Sequence, residues 1–260
     1  MLPPLAPSPW LSRPVPNPAA RCRLWCLPFA GGGAGIWRPW AEALENDAEV
    51  VALRLPGREN RLAEKPVAEP ADLLAALVRE LAPRLDGDSI LCGHSLGGLL
   101  ASGIVRELAR RSQRLPRGLI VSGVRAPHLP RTEPDLHALP DSELVDQLDR
   151  RYGGIPPELR NNAALLELLL PALRADLSVY EKYPLAPLLP LDIPILALGG
   201  EDDPVVSQAQ VLGWRAHTTG SFTASFFPGG HFFIQTGFSR VVQEVRAFLH
   251  QIAPEISAAR

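Results

Sequence analysis

At 260 residues and 46% hydrophobic content, the chain has the length for one large α/β domain and enough apolar side chains to fill its core. A formal net charge of −2, with 21% charged residues, excludes the positive field that gathers nucleic acid and the core-poor composition of a disordered chain. Three cysteines, Cys22, Cys26 and Cys92, show no paired spacing and have no nearby histidines to complete a zinc site, so no disulfide framework and no metal are expected, and a reducing cytoplasm fits.

The chain opens on a proline-crowded stretch. Residues 1–18 lack the basic start and unbroken apolar run of a secretory signal, and read as a loose leader before a single domain over 19–260. Short apolar runs at 24–27, 50–53, 90–92, 119–121, 195–198 and 222–227 then read as strands. Helical spacing falls between and after them, at 37–44, 73–85, 99–108, 205–214 and 241–252. This alternation predicts a mostly parallel sheet covered on both faces.

One region breaks the alternation. Residues 128–190 carry helical pieces between prolines and no good strand, which marks an insertion. Asp141 is placed to cap a helix that ends at Gly153-Gly154, and further helices are expected over 165–170 and around Leu173 and Leu177. An insertion after a central strand, above the strand ends where open α/β sheets bind ligands, suits a lid; the other reading is a merely structural cap. Prolines cut the apolar stretches too often for a membrane span.

The segment Gly93-His94-Ser95-Leu96-Gly97, between an apolar strand and a helical pattern through Leu99, Leu100, Ile104, Val105 and Leu108, reads as a nucleophile elbow. Ser95 is the candidate nucleophile. A serine hydroxyl needs a base, and that base needs a carboxylate to orient it; on a turn of this kind they follow in the order serine, acid, histidine. Of six histidines, His94 lies inside the elbow, His128 and His137 precede any late acidic loop, His217 precedes the last strand, and His250 falls in the terminal helix. His231 remains, on the Gly-rich loop after 222–227.

The acid is expected after strand 195–198, in Gly199-Gly200-Glu201-Asp202-Asp203-Pro204. Asp203 fits the spacing from Gly200 and the following proline; Asp202 is the alternative, and the other reading for either is capping a helix that starts near Pro204. The oxyanion donors are expected to be the backbone N–H of Leu96 and one from Leu27-Pro28-Phe29-Ala30-Gly31-Gly32-Gly33, with Ala30 preferred and Phe29 the alternative. No phosphate-loop pattern is completed there.

With these residues assembled, the chain resembles a type II thioesterase, the stand-alone α/β-hydrolase that accompanies polyketide synthases and nonribosomal peptide synthetases. The resemblance rests on the elbow, on 27–33 with Trp37 and Trp40 after it, on Leu55-Pro56-Gly57-Arg58-Glu59-Asn60-Arg61, on Pro171-Ala172-Leu173-Arg174-Ala175-Asp176, and on Pro228-Gly229-Gly230-His231-Phe232. It implies an α/β-hydrolase fold with an inserted helical lid. It also implies hydrolysis of acyl groups tethered to the phosphopantetheine arm of acyl or peptidyl carrier proteins, through an acyl-enzyme on Ser95 with His231 and Asp203. No bound cofactor is needed, since the substrate brings the phosphopantetheine, and a monomer is expected. A general carboxylesterase or acyltransferase using the same residues is the alternative enzyme, and a non-catalytic binding module is a third reading. The run Arg106, Arg110, Arg111, Arg114 and Arg117 is either a docking surface for an acidic carrier or a solvated face, and Arg58 and Arg61 read as structural salt-bridge partners.

Overall fold

Along each apolar run, successive side chains point to opposite faces of a sheet, so a run that is apolar throughout must be covered twice. In the computed structural model, which describes residues 2–153 and 162–252, that requirement is met. Seven strands, β1 (Leu11–Ser12), β2 (Arg23–Leu27), β3 (Glu49–Leu53), β4 (Ser89–His94), β5 (Gly118–Ser122), β6 (Ile195–Gly200) and β7 (Phe222–Phe227), lie in the order β1-β3-β2-β4-β5-β6-β7. All neighbours are parallel except β1 against β3.

Trp25 and Leu27 of β2 face one core with α2 (Pro70–Leu81) and α3 (Leu96–Arg110). Leu24 and Cys26 face the other, with α1 (Arg38–Ala43) and the terminal α8 (Phe238–Ile252). Each buried leucine contributes roughly 1.5–3 kcal/mol against exposure to water, so leaving either face of the sheet uncovered would be costly. Between β5 and β6 run α4 (Asp141–Tyr152) and α5 (Ala163–Glu181), which share a smaller core of Leu144, Val145, Leu148, Leu170 and Leu177. Short helices α6 (Gln208–Leu212) and α7 (Phe233–Thr236) complete the chain. Among the described residues no helix is long and apolar enough to cross a membrane.

Four local expectations change. The leader is not loose: Leu11 and Ser12 pair with Leu53 and Ala52, Arg54 N–H donates to Trp10 O at 2.7 Å, and the Arg61 guanidinium lies 3.8 Å from the Trp10 ring centroid. Proline costs little in such an edge segment, where few backbone donors are required. Asp141 is not the cap of α4; Pro140 holds that position and Asp141 pairs with Arg174 of α5. Gly154 lies outside the described residues. The helical pieces around Pro171 form one helix, because Pro171 sits on an exposed face, where water can satisfy the carbonyl that loses its partner. Finally, the helix expected from 205 starts at Gln208, capped by a reciprocal Ser207–Gln210 box.

The basic run on and after α3 is largely ion-paired or turned inward. Arg110 and Arg111 both bind Glu107, Arg117 binds Asp88, and Arg106 turns inward to His217. His217 is buried, with His128 Nδ1 and its own Nε2 2.8 Å apart. Burial, followed by the charges of Arg106 and His128, lowers its pKa from 6.5 to about 4. A histidine with its folded pKa depressed contributes stability fully above its unfolded value, and that contribution is lost as pH falls toward the folded value. Melting temperature is therefore expected to drop between pH 6.5 and 4. His217→Gln should reduce that drop by roughly 5 °C; parallel curves for the two proteins would sink the assignment.

Candidate active site

The sheet order reverses between β2 and β4, the place where open α/β sheets leave a crevice at their carboxyl ends. The loop after β2 and the turn after β4 meet there. Ser95 caps α3 at φ 53° and ψ −119°, a conformation that lifts the side chain off the end of the strand. Close approach requires the flanking glycines: a Cβ on Gly93 would lie 2.1 Å from the backbone of Gly97, and one on Gly97 would lie 2.2 Å from Leu27 O. Ser95 N–H donates to Ser122 O at 2.8 Å, which fastens the turn to β5.

The carboxyl ends of β6 and β7 bring the acid and the imidazole together. Beyond the strands, Glu201 N–H donates to Phe227 O and Asp202 N–H to Gly229 O, so the two loops are held side by side. Asp203 Oδ2 lies 2.8 Å from His231 Nδ1, with both side chains buried. The other carboxylate oxygen accepts the N–H groups of Val205 and Val206 at 2.9 and 3.1 Å. Asp203 thus both shapes its turn and fixes the ring. Asp202 is exposed. With Nδ1 committed to the carboxylate, Nε2 is the nitrogen left for a proton on the serine side.

Ser95 and His231 line one cavity of about 230 Å³, whose roof is formed by Val145, Leu148 and Tyr152 of α4 and by Leu166, Leu170 and Leu173 of α5. Among the described residues no Asp, Glu, Lys or Arg side chain lines it. The helical insertion therefore covers the site. Two neighbours of His231 were not singled out by sequence. Tyr152 lies with its ring 5.0 Å from the imidazole, and His94 lies at the same distance on another side. His94 is held by Ser122 Oγ at 2.9 Å, and burial, then the nearby His231, keeps its pKa well below the usual value. Its location one residue before Ser95 was visible in sequence; its contact with a ring 137 positions later (231 − 94) was not.

The backbone N–H of Leu96, first in α3, has no intrahelical partner. In the loop after β2, Gly31 N–H is taken by Asp176 Oδ2 and Gly32 N–H by Phe29 O, both at 2.8 Å. Among the described residues neither Phe29 N–H nor Ala30 N–H has a hydrogen-bond partner, so both donors expected of that turn stay available. Arg58 and Arg61 are both ion-paired: Arg58 grips Asp176 with two bonds, and Arg61 binds Glu64.

Residues 22–249 match the family model described as a thioesterase domain. Among curated proteins, the gramicidin S biosynthesis protein GrsT of Aneurinibacillus migulanus is 36% identical over 225 residues, covering 86% of this chain and 88% of its own. The structure is similar to that of RedJ, a thioesterase from the prodiginine pathway of Streptomyces coelicolor, with TM-score 0.82 and 40% identity over 88% of this chain and 91% of that one. It is similar also to the type II thioesterase BorB of the borrelidin biosynthetic cluster, with TM-score 0.83 and 34% identity over 95% and 98% of the two chains.

Proposed function

The chain belongs to the thioesterase family, and from that premise we propose that it clears acyl groups from the phosphopantetheine arms of acyl or peptidyl carrier proteins in polyketide or nonribosomal peptide assembly. The observation that carries the reading is the apolar cavity under α4 and α5, onto which Ser95 and His231 both open.

A thioester carbonyl seated there is within reach of the Ser95 hydroxyl. His231 takes the serine proton, and the negative charge that develops on the carbonyl oxygen is received by the N–H groups of Leu96 and Ala30. Asp203 stabilises the imidazolium so formed. Collapse expels the phosphopantetheine thiol, which leaves with the proton from His231, and the acyl group stays on Ser95 as an ester. Water then repeats the sequence with His231 as base, releasing the free acid. Serine, imidazole, carboxylate and water supply every group in the reaction; the arm belongs to the substrate.

Incubation with a panel of acyl-loaded carrier proteins, acyl-coenzyme A and simple esters, followed by mass spectrometry, tests the proposal. Carrier-bound thioesters are expected to be hydrolysed fastest, with an acyl adduct on Ser95. Preference for simple esters, or transfer to an alcohol without hydrolysis, would overturn it. The cavity also sets an expectation for acyl size. Leu166→Trp, which fills the roof from α5, should slow an eight-carbon acyl chain by roughly tenfold and leave acetyl within about twofold. Equal slowing of both would show that the acyl chain lies elsewhere.

A further inference from the structure

Two strings that carried no assigned chemistry in the sequence meet at the oxyanion turn. Arg58 comes from the Leu-Pro-Gly-Arg-Glu string after β3, and Asp176 comes from α5, 118 residues later. Both are buried, at 5% and 2% exposure. The guanidinium donates to the two carboxylate oxygens at 2.7 and 2.8 Å, a bidentate grip that holds the carboxylate in one orientation. Each partner then uses a remaining site on the loop after β2. Asp176 Oδ2 accepts Gly31 N–H at 2.8 Å, and Arg58 Nη1 donates to Gly32 O at 2.8 Å. Glu59, next in the string, accepts Gly35 N–H at 3.1 Å.

We infer that Arg58 and Asp176 are a positioning pair, holding residues 29–33 so that Ala30 N–H points at the oxyanion and tying that orientation to the lid helix α5. The inference rests on the proposed reading of this turn as the oxyanion donor. Gly31 adopts φ +78°, and its amide is fixed by a carboxylate where solvent would hold it loosely. Rotation of that peptide would carry the neighbouring Ala30 amide away with it, since the two share an α-carbon. Leu173, one turn before Asp176, seals the same turn: a Cβ on Gly31 would stand 3.0 Å from its Cδ1. Leu173 also lines the cavity, so the helix that contacts the acyl chain is the helix that sets the donor.

A purely structural ion pair is expected to be replaceable by packed apolar groups without loss of stability, while a positioning pair is not replaceable in its effect on turnover. The test compares two double variants, Arg58→Met with Asp176→Leu, and Arg58→Met with Asp176→Asn, and the single variant Arg58→Lys. The substrate is a small acyl-N-acetylcysteamine thioester. The leucine double variant is expected to melt near the wild type yet to lose roughly 100-fold in kcat, with KM changed less than about threefold, as for a lost oxyanion donor. The asparagine double variant keeps an acceptor for Gly31 N–H and should recover most of that kcat. Arg58→Lys, which keeps the charge but not the fork, should lower kcat roughly tenfold with KM unchanged. Wild-type kcat in the leucine variant, or equal kcat in the two doubles, would overturn the inference and leave the proposed function standing. If the double variants fail to fold, an unchanged kcat in Arg58→Lys overturns it. A wild type that hydrolyses the small thioester but not carrier-bound ones would overturn the proposed function alone; one inactive on both would overturn both.

Discussion

Ser95→Ala is expected to lower kcat on an acyl-carrier substrate by roughly 10⁴- to 10⁶-fold. The reason lies in the division of labour at the elbow. Backbone donors and the apolar cavity survive the substitution, so substrate still binds, and KM should move less than about threefold. What is lost is the hydroxyl of the one serine that, among the described residues, lines the cavity with His231. The fold should be retained, because alanine keeps the Cβ that the φ 53° turn already tolerates and Ser95 N–H still donates to Ser122 O. Intact-protein mass spectrometry supplies the second reading. The wild type should carry a transient acyl adduct and the variant none. An adduct on the variant, or turnover within tenfold of the wild type, would remove Ser95 from its role.

Much of the fold is legible because its signals are local. Each of the six apolar runs became a strand of the parallel sheet, since a strand buried on both faces must be apolar at nearly every position. The elbow, too, is a local constraint, set by the space between β4, α3 and β2. What escaped is non-local or depends on backbone rather than side chains. The two-residue strand Leu11–Ser12 is held by main-chain bonds to β3 and by Arg54 on Trp10 O and Leu11 O, which leave no periodic trace. The length of α5 was hidden because a proline stops a helix in the sequence but not on an exposed face. The basic run after the elbow is visible in sequence, but two of its partners, Asp88 for Arg117 and His217 for Arg106, lie far along the chain and leave no local signal. The acid was legible only to within a pair, because spacing alone does not say which of two adjacent carboxylates turns inward.

That pair separates in a single experiment. Asp203→Asn should reduce kcat by roughly 10³- to 10⁴-fold, whereas Asp202→Asn should stay within about twofold of the wild type. The contrast follows from what each side chain does. Asp203 Oδ2 lies 2.8 Å from His231 Nδ1, and Oδ1 holds the amides of Val205 and Val206. Asparagine can still accept those two N–H groups through its carbonyl oxygen, so the turn should persist. The amide nitrogen then faces His231 and favours the ring tautomer with its proton on Nε2, the wrong nitrogen for a base. It also removes the charge that stabilises the imidazolium. Asp202, in contrast, is exposed and enters the site only through its backbone N–H on Gly229 O, which asparagine keeps. A reversed order of the two effects would move the acid to Asp202. A small effect in both would mean that His231 holds its orientation through Tyr152, His94 and Phe232, the rings packed against it.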